Sequence, residues 1–460
     1  MSDAAPTAPS RARRNAELAL LIVAIVLALM AYVEVGLGLR GEVPPGVFLY
    51  GSLLAGGYVV AHVVVRRFAR QADPVFLPTA VLLAGLGFAV IYRLERDLAG
   101  AQTLWLLFGL ALFCLTLMVI RDHRQLDSFT YTIGLLGLVM LFLPLVPGIG
   151  QEVRGARLWV GIGPLQFQPA EIAKVLIVIF AASYLNTRKE LLAVATRRLG
   201  PIALPEPRHL APLLVAWGLS LVVLFVEKDL GSSLLFFGII VVMLWLATGR
   251  VAYLLLGTIL FAIGALAGWM VFSHVQDRVD IWLHALAPCP RGVPLEDAVC
   301  AQGKGFQVAQ SLFALATGGI GGTGLGQGRP GFIPDAHTDF VFSAVGEELG
   351  LLGTTAMLML FVLLVFRGFR AAVRCPDGFG QLLAAGLAAI LGLQTFVIVG
   401  GVTRLIPLTG ITLPFVSYGG SSLVANFVLL ALLVRVSAAQ TPTGATEEHT
   451  QFVRYARERP

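Results

Sequence analysis

The sequence predicts an all-α polytopic membrane protein, a bundle of about 12 transmembrane helices with one large extracellular loop. Three observations predict it. Of 460 residues, 57% are hydrophobic and only 13% charged, with mean hydropathy +0.83, where a soluble domain carries roughly 25% charged residues. Apolar runs of spanning length recur along the chain. Arg and Lys gather in alternate segments between those runs.

A hydrocarbon core of roughly 30 Å takes about 20 apolar residues in a helix. Runs that meet this are 17–35, 47–65, 76–92, 103–120, 129–146, 169–185, 210–226, 231–248, 251–274, 340–366, 382–402 and 417–434. Arg11, Arg13 and Arg14 precede the first, which is too long for a signal-peptide core and lacks a small-residue cleavage site, so it reads as a retained span. One set of alternating segments holds the N-terminal tail, Arg66/Arg67/Arg70, Arg121/Arg124, Arg188/Lys189/Arg197/Arg198/Arg208, Arg250, Arg367/Arg370/Arg374 and the C-terminal tail. The count is roughly 21 against 11 in the other set, so the positive-inside rule places the first set, with both termini, in the cytoplasm. The net charge of +6 is then a topology signal, and nucleic acid is not an expected partner. The loop 274–339 falls outside the cell. No internal repeat supports a transporter built from inverted halves, and the four cysteines show no zinc spacing.

Four polar clusters interrupt the apolar pattern, and ionisable groups there are costly and usually paired. In ARLWVGIGPLQFQPAEIAKVLIV, Pro169 suits a first helical turn. Glu171 and Lys174 share a helix face, as a packing pair or, with Arg157, near an anionic head group. Trp159 and Gln168 flank them, the tryptophan suited to an interface. In VEKDLGSSLLFF, Asp229 before Gly231 and Ser232 resembles an N-cap. In PDAHTDFVFSAVGEELGLLG, Asp339 is a candidate cap beside His337, and Glu347 and Glu348 lie about two turns inside the next apolar run, where one should face the bundle, paired or protonated. In GVTRLIPLTGITLPFVSYGGSS, Pro407 and Pro414 break the helix, so the segment reads as partly re-entrant. Its Ser417, Gly419, Gly420 and Ser421 permit either close helix contact or phosphate binding at a helix start. The glycines from Gly318 to Gly331 lack a P-loop ending. They read as flexible loop or as an anion nest for pyrophosphate.

Together RLWVGIGPLQFQPAEIAK, KDLGSS, QSLFALATGG, GTGLGQG, AHTDFVFSAVGEELG and PLTGITLPFVSYGGSS, in this order, resemble the SEDS family of cell-wall polymerases, the group of RodA and FtsW, from Phe76 to Val434. SYGGSS and TRLIPLTG resemble the RodA branch. The two spans within 16–70, after a cytoplasmic tail at 1–15, are additional to the family's usual ten, as in actinobacterial members. The family core is then 71–437, and 438–460 a polar, disordered cytoplasmic tail.

The resemblance implies polymerisation of peptidoglycan strands from lipid II, more in elongation and shape than in division, with undecaprenyl pyrophosphate leaving and a class B penicillin-binding protein as partner. It implies an essential Asp in the exterior loop, upstream of a G-x-G-[YF]-Q motif, here Gly303-Lys304-Gly305-Phe306-Gln307. An insertion from Pro288 to Ala301 breaks that pattern and puts Cys300 nearest the expected position. Asp297 is the leading candidate, Glu296 the second and Asp280 the third. A positioned carboxylate that takes the proton of the attacking sugar hydroxyl contributes typically about 10²–10⁴-fold. The departing pyrophosphate calls for cations, with Arg157, Lys174 and Arg404 as candidates, or a divalent Mg or Mn, which these residues do not specify. Gln310 completes the substrate-binding set with His337 and Asp339. Cys289 and Cys300 share the exterior loop, where an oxidising medium permits a disulfide around Glu296 and Asp297. A flippase for the lipid-linked precursor is the alternative. It needs the same charged cavity but no base outside.

Overall fold

The computed structural model describes residues 8–153, 156–162, 165–193, 197–199, 202–204, 214–215, 217–218, 221–222, 227 and 229–439. In chain order the helices are α1 (Ala8–Arg40), α2 (Val47–Phe68), α3 (Phe76–Leu94), α4 (Leu98–Val119), α5 (Thr130–Phe142), α6 (Pro169–Ala193), α7 (Leu230–Thr248), α8 (Val251–Val271), α9 (Ser273–His284), α10 (Phe306–Gly318), α11 (Val341–Arg374), α12 (Gly378–Val402) and α13 (Gly420–Ala438). Among the described residues, eleven elements are long and apolar enough to cross a membrane, every helix here except α9 and α10, with α5 counted together with its 3-10 flanks as His123–Leu145. The chain is a multi-pass membrane protein. The expected span at 210–226 lies, apart from isolated positions, outside the described residues.

Burial sorts these helices into a centre and a lipid-facing shell. In its apolar stretch α13 is 89% buried, against 11% for α8. It packs on α4, with α6 and α12 beside it. Exposed Ile259, Ile263, Met270 and Val271 on α8 have lipid as their solvent. The two N-terminal helices are tied in by a buried polar knot. Arg14 and Glu17 of α1 pair with each other, Glu17 Oε1 meets His62 Nδ1 of α2 at 2.8 Å, and Arg14 also donates to the carbonyl of Ala72. Each charge in the knot has a partner, as removal from water requires.

Two small antiparallel sheets add to the helical architecture. β1 (Gly150–Val153), β2 (Ala156–Ile162) and β3 (Leu165–Phe167) form a meander that leads into α6. β4 (Arg197–Leu199) and β5 (Ile202–Leu204) form a hairpin. Both lie between spans, where hydropathy carries no signal. The polar stretch after α8 folds as α9, a loop closed by a Cys289–Cys300 disulfide, α10 and a 3-10 turn at Pro330–Phe332.

The segment 403–419 has no regular structure, as its prolines predict, and turns on positive-φ residues Arg404, Gly410 and Phe415. It lies against protein: a Cβ at Gly87 of α3 would sit 2.4 Å from the carbonyl oxygen of Val416. Gly87→Ala should therefore cost about 1–3 kcal/mol through overpacking, read as a lower thermal midpoint in detergent. Gly56→Ala, with nothing within 4 Å of the added carbon, should show no loss.

Candidate functional site

A cavity of about 630 Å³ opens where the β1–β3 meander, the N-terminal ends of α6, α7 and α13, and the segment before α11 converge. Leu158, Trp159 and Gln166 line it from the sheet, and Gln168 and Glu171 from the start of α6. Asp229 lines it at the N-cap of α7, His337 and Asp339 ahead of α11, and Gly419 to Ser422 at the start of α13. Three helix N-termini facing one space follow from the chain's local chemistry. Pro169 opens α6, Asp229 caps α7 by accepting Ser232 N–H at 2.9 Å, and the glycine-serine run starts α13.

Below this wall lies a buried ammonium. Lys174, 2% exposed, donates from Nζ to Glu171 Oε2 at 2.6 Å and to Gln394 Oε1 of α12 at 2.8 Å. Gln394 Nε2 donates in turn to the carbonyl of Thr412 at 2.7 Å. Thr412 Oγ1 bonds Ser422 Oγ at 2.8 Å, and Ser421 Oγ accepts Gln168 N–H at 2.8 Å. One network thus joins α6, α12, the irregular segment and α13 under the cavity.

The upper wall is acidic and partly desolvated. Burial raises the Asp339 carboxyl above its usual range, against a bond from Thr338 Oγ1 at 2.8 Å that lowers it. Burial raises Asp229 likewise, opposed by its bonds to Ser232. Arg278 of α9 stands over both. Its Nη1 donates to the carbonyl of Leu408 at 2.7 Å, and burial lowers its pKa while the two carboxylates raise it. Arg278 was not singled out in the sequence, and neither were Gln394, Thr412 or Tyr418. Arg278 carried a signal, a basic residue in a polar exterior stretch, but nothing local marked its reach to Leu408.

The structure brings Trp159, Gln168, Glu171, Asp229, His337, Asp339, Gly419, Gly420 and Ser421 to this cavity and places other candidates elsewhere. Lys174 lies beneath it. Arg157 is exposed on β2, 3.5 Å from Glu152. Arg404 clamps the end of α9, donating to the carbonyls of Trp282 and Leu283 at 2.7 and 3.0 Å. Ser417 is buried and bonds Leu413 N–H at 2.9 Å. Gln310 is half-buried on α10. Asp297 and Glu296 are exposed on the loop that the disulfide closes, and Asp280 is half-buried on α9. None of these three lines the cavity.

The glycine run after α10 is not an open anion nest. Gly326 N–H donates to Glu348 Oε2 at 3.0 Å and Arg329 N–H to Glu347 Oε1 at 2.6 Å. Thr323 and Gly324 donate to the backbone carbonyls of the same two glutamates. Both glutamates are buried, and Glu348 also takes Arg93 Nε at 2.8 Å. The protein's own carboxylates fill the donors. Gly350, at φ +65°, breaks α11 just beyond them, a backbone state that suits glycine.

For a divalent cation, Glu171, Asp229, Asp335 and Asp339 are the cavity's oxygen donors. Among the described residues, the group of three potential ligands within 4.8 Å is His123, Cys375 and Asp377, remote from this cavity.

Comparison with known proteins decides the family. Residues 75–441 match the model of the cell cycle proteins FtsW, RodA and SpoVE. The chain belongs to that family. It is 45% identical over 444 residues to the peptidoglycan glycosyltransferase RodA of Mycobacterium tuberculosis, covering 94% of this chain and 92% of the relative. The corresponding protein of Mycobacterium leprae is 42% identical over 462 residues, covering 98% and 96%. A chain from a peptidoglycan synthase complex that coordinates polymerization and crosslinking superposes with TM-score 0.64 at 29% identity, covering 80% of this chain and 97% of that one. The Rod shape determining protein RodA of Thermus thermophilus gives 0.54 at 26%, covering 81% and 98%. This family member is of the RodA type expected in actinobacteria.

Removing one member of the buried pair should be costly. Glu171→Gln leaves the Lys174 ammonium with neutral partners and should destabilise by about 3–5 kcal/mol. The double variant Glu171→Gln/Lys174→Met should recover part of that loss, measured by thermal unfolding in detergent.

Proposed function

We propose that this membrane enzyme is a peptidoglycan glycosyltransferase that polymerises glycan strands from lipid II in cell-wall elongation. The observation that carries the reading is the cavity. It opens at one end of the bundle and is walled by carboxylates and three helix starts, on a chain 45% identical to a RodA glycosyltransferase. The arginine distribution assigns that end to the cell exterior and both termini to the cytoplasm.

In the proposed reaction the 4-hydroxyl of the acceptor GlcNAc attacks C1 of the donor MurNAc. The new C1–O bond forms as the bond to undecaprenyl pyrophosphate breaks, the leaving group takes the electron pair, and the anomeric centre inverts. A carboxylate of the exterior loop takes the hydroxyl proton. Hydrogen-bond donors and Arg278 are suited to the charge that grows on the pyrophosphate. A class B penicillin-binding protein crosslinks the strands, a pairing supported by the synthase complex to which the chain is similar.

Two carboxylates compete for the role of base. The motif resemblance favours Asp297, exposed where an acceptor strand arrives from outside. The cavity favours Asp339, which lines it and whose carboxyl burial raises, a shift that suits a proton acceptor. Purified protein given labelled lipid II, alone and with its partner, separates them. Asp297→Asn is expected to lower polymer yield by about 10²–10⁴-fold. Wild-type yield from that variant, with the loss in Asp339→Asn instead, moves the base into the cavity. Lipid II flipping by the wild type with no polymer would replace the enzyme with a flippase.

The pH profile gives a second readout. A base must be ionised, so activity is lost as pH falls through its pKa. With Asp339 as base, the acid limb should lie above the ordinary carboxylate range, near pH 4. With Asp297 as base, Asp339→Asn should leave the position of the acid limb unchanged.

A further inference from the structure

At the opposite end of the bundle, the ends of α2, α4 and α13 surround a second cavity of about 510 Å³. It is lined by Arg67, Arg70, Arg121, Arg124 and Arg435, with Asp122 as the one carboxylate in its wall. Four of these arginines are exposed, and the positive-inside rule accounts for such residues with no ligand. It does not account for Arg435. That side chain is 7% exposed. Its Nη1 donates to the carbonyl of Phe68 at 2.6 Å and its Nη2 to that of Leu117, and its Nε has no partner. Among the described residues no carboxylate lies within 4 Å of it. Backbone carbonyls satisfy donors but supply no counter-charge, and an unpaired buried charge is strongly destabilising.

Asp122 acts on Arg435 only through space, without an ion pair, and the neighbouring carboxylates have partners of their own. Asp377 Oδ2 is shared by His123 at 2.8 Å and Arg124 at 3.3 Å. Asp122 lies 3.5 Å from His123 Nδ1 and caps the next turn. Arg70 and Arg121 have no carboxylate within 4 Å among the described residues, and Arg67 lies over the ring of Phe68 at 5.7 Å. The cavity thus presents several guanidiniums without an acidic partner, one of them buried at its wall.

We infer that this cavity binds the headgroup of an anionic membrane lipid, and that a lipid with two phosphates suits it best. A membrane source follows from position. The cavity sits where three spans end, and exposed Val63, Leu115 and Val119 lie within two turns of its rim on α2 and α4. Acyl chains can lie on that surface while phosphates enter the basic space. Basic pockets between spans on the cytoplasmic side recognise such headgroups. Two phosphates follow from the number of unneutralised guanidiniums, each a fork that pairs with phosphate oxygens. The inference is independent of the catalytic reading, because none of its residues lines the exterior cavity.

The test is native mass spectrometry of the full chain in neutral detergent, titrated with cardiolipin, phosphatidylglycerol or phosphatidylcholine, and with inorganic pyrophosphate as competitor. One cardiolipin per chain is expected, held more tightly than phosphatidylglycerol, with phosphatidylcholine not retained and pyrophosphate unable to displace it. Arg70→Gln/Arg121→Gln should weaken binding about 25-fold, or about fivefold per arginine, while both residues sit at the exposed rim and leave the fold intact. Arg435→Lys keeps the charge without the fork and should also weaken it. Arg250→Gln, at the start of α8 and outside the cavity, should change nothing. Equal retention of the three lipids, an equal loss in Arg250→Gln, or displacement by pyrophosphate would overturn the assignment.

Discussion

The cavity at the starts of α6, α7 and α13 depends on the neutralisation of one ammonium. Lys174 is 2% exposed, and a buried charge persists only when paired and hydrogen-bonded. Its two partners come from different helices, Glu171 from α6 and Gln394 from α12. The second of these also holds the carbonyl of Thr412. The irregular backbone of 403–419 thereby gains one more fixed contact beside those to Gly87 and Arg278, as such backbone at membrane depth requires. The helix starts that face the cavity are positioned through this network.

The same constraint shapes the loop between α10 and α11. Glu347 and Glu348 stand in an apolar run, and they are stable there because a glycine-rich strand of chain folds back to donate to them. Arg93 of α3 supplies the charge opposite Glu348. Those glycines serve close approach and positive φ around two internal carboxylates, so they are not available to an incoming phosphate. Donors suited to an anion remain at the start of α13, which lines the cavity, and on Arg278 beside it.

What the sequence made legible follows from how local each signal is. Spans are local sums of hydropathy, and the described ones appear where expected. The Asp229 cap and the break at Pro407 and Pro414 depend on a few adjacent residues, and both are present. The role of Arg404 was not legible. Its cationic side chain near the exterior suggested a phosphate ligand, but it clamps carbonyls 122 and 121 residues away in sequence. Arg278 was missed for the converse reason, because its partners Leu408, Asp229 and Asp339 are distant in the chain. The insertion from Pro288 to Ala301 hid the register of the motif, and the structure sets its acids on an exposed, disulfide-closed loop outside the cavity.

On the proposed reading, the sign of the cavity bears on which part of a lipid-linked sugar it would hold. Glu171, Asp229, Asp335 and Asp339 are acceptors when ionised, and they repel phosphate. They suit the hydroxyl and amide donors of a saccharide-peptide. The start of α13 presents N–H groups and the positive end of a helix dipole, which suits an anion. A substrate with a sugar at one end and a pyrophosphate at the other would therefore lie with its sugar along the acidic wall and its phosphates toward Gly419–Ser422 and Arg278. That orientation puts the anomeric carbon between the two regions, where a proton acceptor on one side and charge stabilisation on the other act on the same bond.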